Sequence, residues 1–215
     1  MKTIITFVLY LSIIIGNENL DIGFRYGFLS KPTYDSHINT ILSDSSIIHS
    51  GNYLRINIGY LTESNIQIIY KSAVGEYLLL DFKEASSNNP KITQQDTTYY
   101  TALNWTDIEP PSGTETFYFI NSFEPLTKLI DLFKKYDRAP AKGQKKLAKR
   151  IQDEINFYDS DIQADLSSLS SQLEKPVTGG VAFRGENDGI NDLSVTHECK
   201  GKDGIAFKKI ILIHK

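Results

Sequence analysis

From Leu147 the apolar residues recur at Ile151, Ile155, Tyr158, Ile162, Leu166, Leu169 and Leu173, in steps of four, four, three, four, four, three and four. A spacing of about 3.67 residues keeps one straight stripe along an α-helix. Any fold of this chain must therefore offer that stripe an apolar surface. As a single helix it would reach about 45 Å at about 1.5 Å per residue. Ser160 with Gln163 three residues later also fits a capping box, so two shorter helices meeting at residues 158–160 are the alternative. Upstream, Pro125 suits a first helical turn, and Leu126, Leu129, Ile130 and Phe133 follow at i, i+3, i+4 and i+7. Pro140 and Gly143 separate this helix from the next, and Pro176 closes the region. The pattern predicts helices over about residues 125–137 and 144–174.

The rest reads as strands. In residues 53–60, Leu54, Ile56, Ile58 and Tyr60 alternate with Tyr53, Arg55, Asn57 and Gly59, the period of a strand buried on one face. Ile66, Ile68 and Tyr70 repeat the alternation. Residues 77–82 form a short apolar run expected to be buried on both sides, and Gly75 in the intervening turn makes the two a hairpin. Residues 83–98, with Asn88-Asn89-Pro90, read as a surface loop. Further strands are expected at 22–29, 116–120, 181–183 and 205–213. The organisation predicted is a polar lead over 17–48, then one domain over 49–215 with a helical insertion at about 140–176. The fold class is α+β: a mainly antiparallel sheet with a helical layer on one face.

The amino terminus points to export. Met1-Lys2 precedes the nearly apolar residues 3–15 (TIITFVLYLSIII), and Gly16 meets the polar Asn17-Glu18-Asn19. A positive start, a short apolar run and a small residue describe a secretory signal peptide over residues 1–16. The run is shorter than the roughly 20 residues a membrane-spanning helix needs, so no integral span is expected after cleavage. A buried first element and an uncleaved anchor are the competing readings. Cys199 is the sole cysteine, which excludes an internal disulfide and any multi-cysteine metal site. The expected location is the periplasm or the extracellular side of an envelope.

Charge is segregated along the helices. Lys128, Lys134, Lys135, Arg138, Lys142, Lys145, Lys146, Lys149 and Arg150 face only Asp131 and Asp137 between Leu126 and Ile151, whereas residues 152–174 carry six acids and no base. The block from Lys142 through Lys145, Lys146 and Lys149 to Arg150 is a candidate surface for an acidic envelope polymer, anionic lipid or acidic partner. The competing reading is an antiparallel helix pair whose two blocks screen each other. Nucleic acid is not expected: the net charge is -3 and no aromatic residues interleave with the lysines.

Residues 49–56 (HSGNYLRI), the strand pair through Leu80, residues 108–120 (IEPPSGTETFYFI) leading to Pro125-Leu126, and residues 201–210 (GKDGIAFKKI) resemble a bacterial domain known as domain-of-unknown-function family 4384. The resemblance covers roughly half the chain. It implies an accessory module of envelope proteins, or one found beside caspase-like peptidases, with no activity to carry over. The long helical region from Lys142 to Lys175 departs from the family pattern.

Three local constellations are candidate sites. His197 and Cys199 would share one face of a strand, as a thiolate–imidazole pair of a cysteine-dependent hydrolase or thiol enzyme requires. Side chains at i and i+2 nevertheless stand roughly 7 Å apart, beyond hydrogen-bond reach. Residues 184–192 (RGENDGIND) are rich in oxygen ligands, but aligning Gly189 with the sixth position of an EF-hand puts Arg184 first and Val195 twelfth, so that loop fails. Tyr99, Tyr100 and Trp105, with Thr97, Thr98 and Asn104, form a candidate saccharide-stacking platform or, alternatively, strand and core residues. Asn104-Trp105-Thr106 is also a glycosylation sequon, relevant only to a eukaryotic secretory path. No G-x-S-x-G, phosphate loop or dinucleotide fingerprint occurs, and neither a cofactor nor a metal is expected. The expectation is a non-enzymatic interaction module of a bacterial cell envelope, partnered by another envelope protein or a surface polymer.

Overall fold

The computed structural model describes residues 22–80, 92–94, 97–169, 197–201 and 203–215. The amino-terminal segment, the strand expected at 181–183 and the oxygen-rich loop at 184–192 lie outside the described residues. The elements are β1 (Ile22–Lys31), β2 (Thr40–Leu42), β3 (Ser46–Ile48), β4 (Tyr53–Tyr60), β5 (Asn65–Lys71), β6 (Tyr77–Leu80), β7 (Ile92–Gln94), β8 (Thr97–Asp107), β9 (Gly113–Ser122), α1 (Thr127–Arg138), α2 (Ala141–Leu169), β10 (His197–Gly201) and β11 (Ile205–His214).

These strands make two sheets rather than mainly one. The first runs β10-β1-β4-β8-β7, with β2 also on β1; the second runs β3-β11-β9-β5-β6. All pairs are antiparallel except β3 on β11, which is parallel. Alternation fixes what fills the space between the sheets. Phe24, Tyr26 and Phe28 of β1 and Ile56 and Ile58 of β4 meet Ile68 of β5, Phe117 and Phe119 of β9, and Ile210 and Leu212 of β11. The other face of the second sheet carries the helices: Ile69, Tyr118 and Ile120 pack against Leu129, Leu132, Phe133 and Tyr136 of α1 and Ile151, Ile155 and Tyr158 of α2. The architecture is α+β in three layers, sheet on sheet on helix pair.

Several expectations shift for physical reasons. Strand β4 is buried on both faces, not one: Arg55 and Asn57 are buried as well as Ile56, and their polar groups are served there by Arg55 Nη2 donating to Thr101 Oγ1 at 2.9 Å and Thr101 Oγ1 donating to Asn57 Oδ1 at 3.4 Å. The strand expected at 22–29 within the polar lead is β1, and it lies between β10 and β4 inside the first sheet. Residues 92–94, expected in a loop, pair with β8. In β6, expected to be buried on both sides, Tyr77 is buried but Leu78 is exposed, since β6 is an edge strand. α2 passes through Ser160 as one helix and starts at Ala141, ahead of Gly143. The main-chain N–H groups of Gly143 and Gln144 bond back to Pro140 O, so the proline opens the helix.

Candidate functional site

The two helices run antiparallel around a tight elbow at Ala139-Pro140. Lys128, at the start of α1, is salt-bridged to Glu154 of α2, and Gln152 Oε1 accepts from Tyr77 Oη at 2.6 Å and Lys71 Nζ at 3.2 Å, fixing α2 to the sheet. The tyrosine rings of this layer sit where they are desolvated; burial raises the phenols of Tyr77 and Tyr118 above their ordinary value, so both remain protonated donors. This packing turns the cations outward. Lys134 pairs with Asp131 at 3.6 Å. Lys135, Arg138, Lys142, Lys145, Lys146, Lys149 and Arg150 are all exposed and form no ion pair among the described residues. Asp131, Lys134, Lys135 and Arg138 also line an open depression of about 430 Å³. The elbow therefore gathers an excess of cations from two helices on a rigid support, with Asp131 and Asp137 the acids of α1 among them.

Tyr100 and Trp105 are not brought together on one face. Tyr100 is buried and meets Tyr60 edge-on at 5.5 Å, on the core side of the first sheet. Trp105 lies on the opposite face, with Lys31 Nζ 4.3 Å and the Arg55 guanidinium 5.7 Å from its ring centre. Cations occupy the indole that a sugar would need. Lys31 Nζ also donates to Tyr34 O and stands 4.7 Å from the Tyr34 ring centre. The side chain of Tyr99 lies outside the described residues.

His197 and Cys199 both sit on β10, opposite Tyr26 and Phe24 of β1. The Cys199 thiol is buried, donates to Phe207 O at 3.5 Å, and is pushed up by burial to about 11. The His197 ring stacks on Tyr26 at 5.2 Å, and its Nε2 is buried without a hydrogen-bond partner among the described residues. A thiol with that environment is protonated at neutral pH and points into the core, the opposite of an activated nucleophile. Among the described residues no cluster of three or more His, Cys, Asp and Glu could hold a metal ion.

A different trio does converge, and local sequence reasoning missed it. Ser50 Oγ lies 2.9 Å from His214 Nε2, and His214 Nδ1 lies 3.2 Å from Glu115 Oε1. The other carboxylate oxygen of Glu115 accepts from Tyr70 Oη at 2.7 Å and from the Ala73 N–H at 3.1 Å. Burial first, then the bond to Glu115, raises the Tyr70 phenol above its ordinary value and keeps it a donor. His214 and Glu115 are buried, whereas Ser50 is exposed. A signal was present: His214 continues the inward phase of Ile210 and Leu212, and Glu115 that of Phe117 and Phe119. A titratable residue in the core-facing phase of an apolar strand needs a partner, and here each supplies the other's.

No helix among the described residues is long and apolar enough to cross a membrane. No family model matches the chain, and neither any curated protein nor any solved structure matches it.

Proposed function

We propose that this chain is an exported interaction module of a bacterial cell envelope that docks an anionic surface polymer on the α1–α2 elbow. The observation that carries the reading is the exposed group from Lys135 to Arg150, which has no ion-pair partner among the described residues. Clustered like charges on a fixed frame raise the local potential and attract polyanions far more than scattered ones do. Tight packing of α1 and α2 on the second sheet supports the same reading, because the cations are presented without the ordering cost of a loop. The apolar run at residues 3–15, with its lysine start, supports export.

Binding to an immobilised polyanion (polyglutamate, then a phosphate-rich wall polymer) tests this. Raising ionic strength from about 0.01 M to 0.15 M contracts the Debye length from about 30 Å to 8 Å, so retention should collapse over that range. The variant K142E/K146E/K149E should lose binding at low salt while keeping its circular dichroism. Retention indifferent to both salt and charge reversal would refute the reading.

A further inference from the structure

We propose that Ser50 is a nucleophilic serine, activated by His214 and oriented through it by Glu115, that takes up an acyl group from an electrophilic ester. The site is independent of the polyanion surface and is built from three distant parts of the chain. Ser50 and Gly51 form the corner of a turn closed by the Asn52 N–H on His49 O at 3.0 Å, with Gly51 at a φ of 82° that glycine adopts freely. The corner is clamped: Ser50 N–H bonds Lys215 O at 3.2 Å, Gly51 N–H bonds Ile108 O at 2.9 Å, and Ile108 N–H bonds Asn52 O at 2.8 Å. The hydroxyl is thus held at the surface while the imidazole behind it is buried.

Chemistry follows from the order of partners. Glu115 can only accept, so His214 carries its proton on Nδ1 and leaves Nε2 as the acceptor facing the Ser50 hydroxyl. Glu115 itself cannot swing away, because Tyr70 and Ala73 hold its second oxygen. As Ser50 Oγ forms a bond to the ester carbonyl carbon, its proton passes to Nε2. The tetrahedral adduct then breaks its bond to the alkoxide, which leaves with that proton as the alcohol. Water later releases the acid by the reverse proton path. The N–H groups of Ser50, Gly51 and Asn52 are already engaged by Lys215, Ile108 and His49, so the turn offers no free main-chain donor to an oxyanion. Both acylation and release should therefore be slow, and a strongly electrophilic ester is needed to acylate the serine.

A fluorophosphonate probe on the full chain, with the modified serine mapped by peptide mass spectrometry, decides the matter. Ser50 should be phosphonylated at least about 100-fold faster than the exposed Ser43 of the same molecule, the lower range for a positioned general base. That comparison needs no variant. S50A should abolish the fast site, and E115Q and H214Q, where they fold, should slow it to the Ser43 rate. Equal rates at Ser50 and Ser43, or an undiminished rate in folded H214Q, would overturn the proposal. The polyanion assay is read separately, so either reading can fail alone.

Discussion

Replacing Phe119 by alanine should remove the centre of the contact between the sheets. The Phe119 ring is fully buried, 5.8 Å from Phe24, 5.3 Å from Tyr26 and 5.8 Å from Phe28. Exposing, or leaving unfilled, roughly 150 Å² of aromatic surface at about 25 cal/mol/Å² costs about 4 kcal/mol. That agrees with the roughly 3–5 kcal/mol found for phenylalanine truncation in cores. Domains of this kind hold about 5–15 kcal/mol in total, so the variant keeps only part of its stability. With a urea dependence of about 2 kcal/mol per molar, the midpoint should fall by about 2 M. Phe157 provides the control: it is 55% exposed on α2, and its truncation should stay within about 0.5 kcal/mol. Urea titration followed by circular dichroism reads both. A Phe119→Ala midpoint lowered by less than about 0.5 M at constant slope would mean that the two sheets do not close over this ring.

Two further outcomes test other parts of the fold. Cys199 should react with a disulfide reagent at pH 8 more than about tenfold slower in the folded chain than in urea. Folding holds the thiol proton from its ordinary 9.0 up to about 11, so the stability it contributes is intact below about pH 9 and declines as pH rises toward 11. A fast, stoichiometric reaction would place the thiol at the surface. Gly201→Ala would set a Cβ 1.9 Å from Ile205 O and 2.5 Å from Ala206 Cα, both main chain and unable to rotate aside. A loss beyond about 3 kcal/mol is expected in thermal or urea unfolding; a neutral result would refute the close crossing of β10 and β11.

What the amino-acid order determined by itself is local. The stripe from Leu147 needed only neighbours three and four apart, and it specified α2, in which Ile151, Ile155 and Tyr158 are buried in phase. Alternation likewise marked β4 and β5, because the strand period is written into each segment. The core-facing phase of Glu115 and His214 was legible too, although their shared purpose was not. Only the tertiary structure decided that the strands divide between two sheets and that β4 and β9 are covered on both faces. Apart from the β5–β6 hairpin, most pairing partners lie far apart in the chain, and no local pattern encodes them. The same distance hid the Ser50 relay: its two bonds join residues 164 and 99 positions apart. They meet because β3 lies parallel beside β11 and β9 lies antiparallel on its other side, which brings one end of each strand to a common edge of the core.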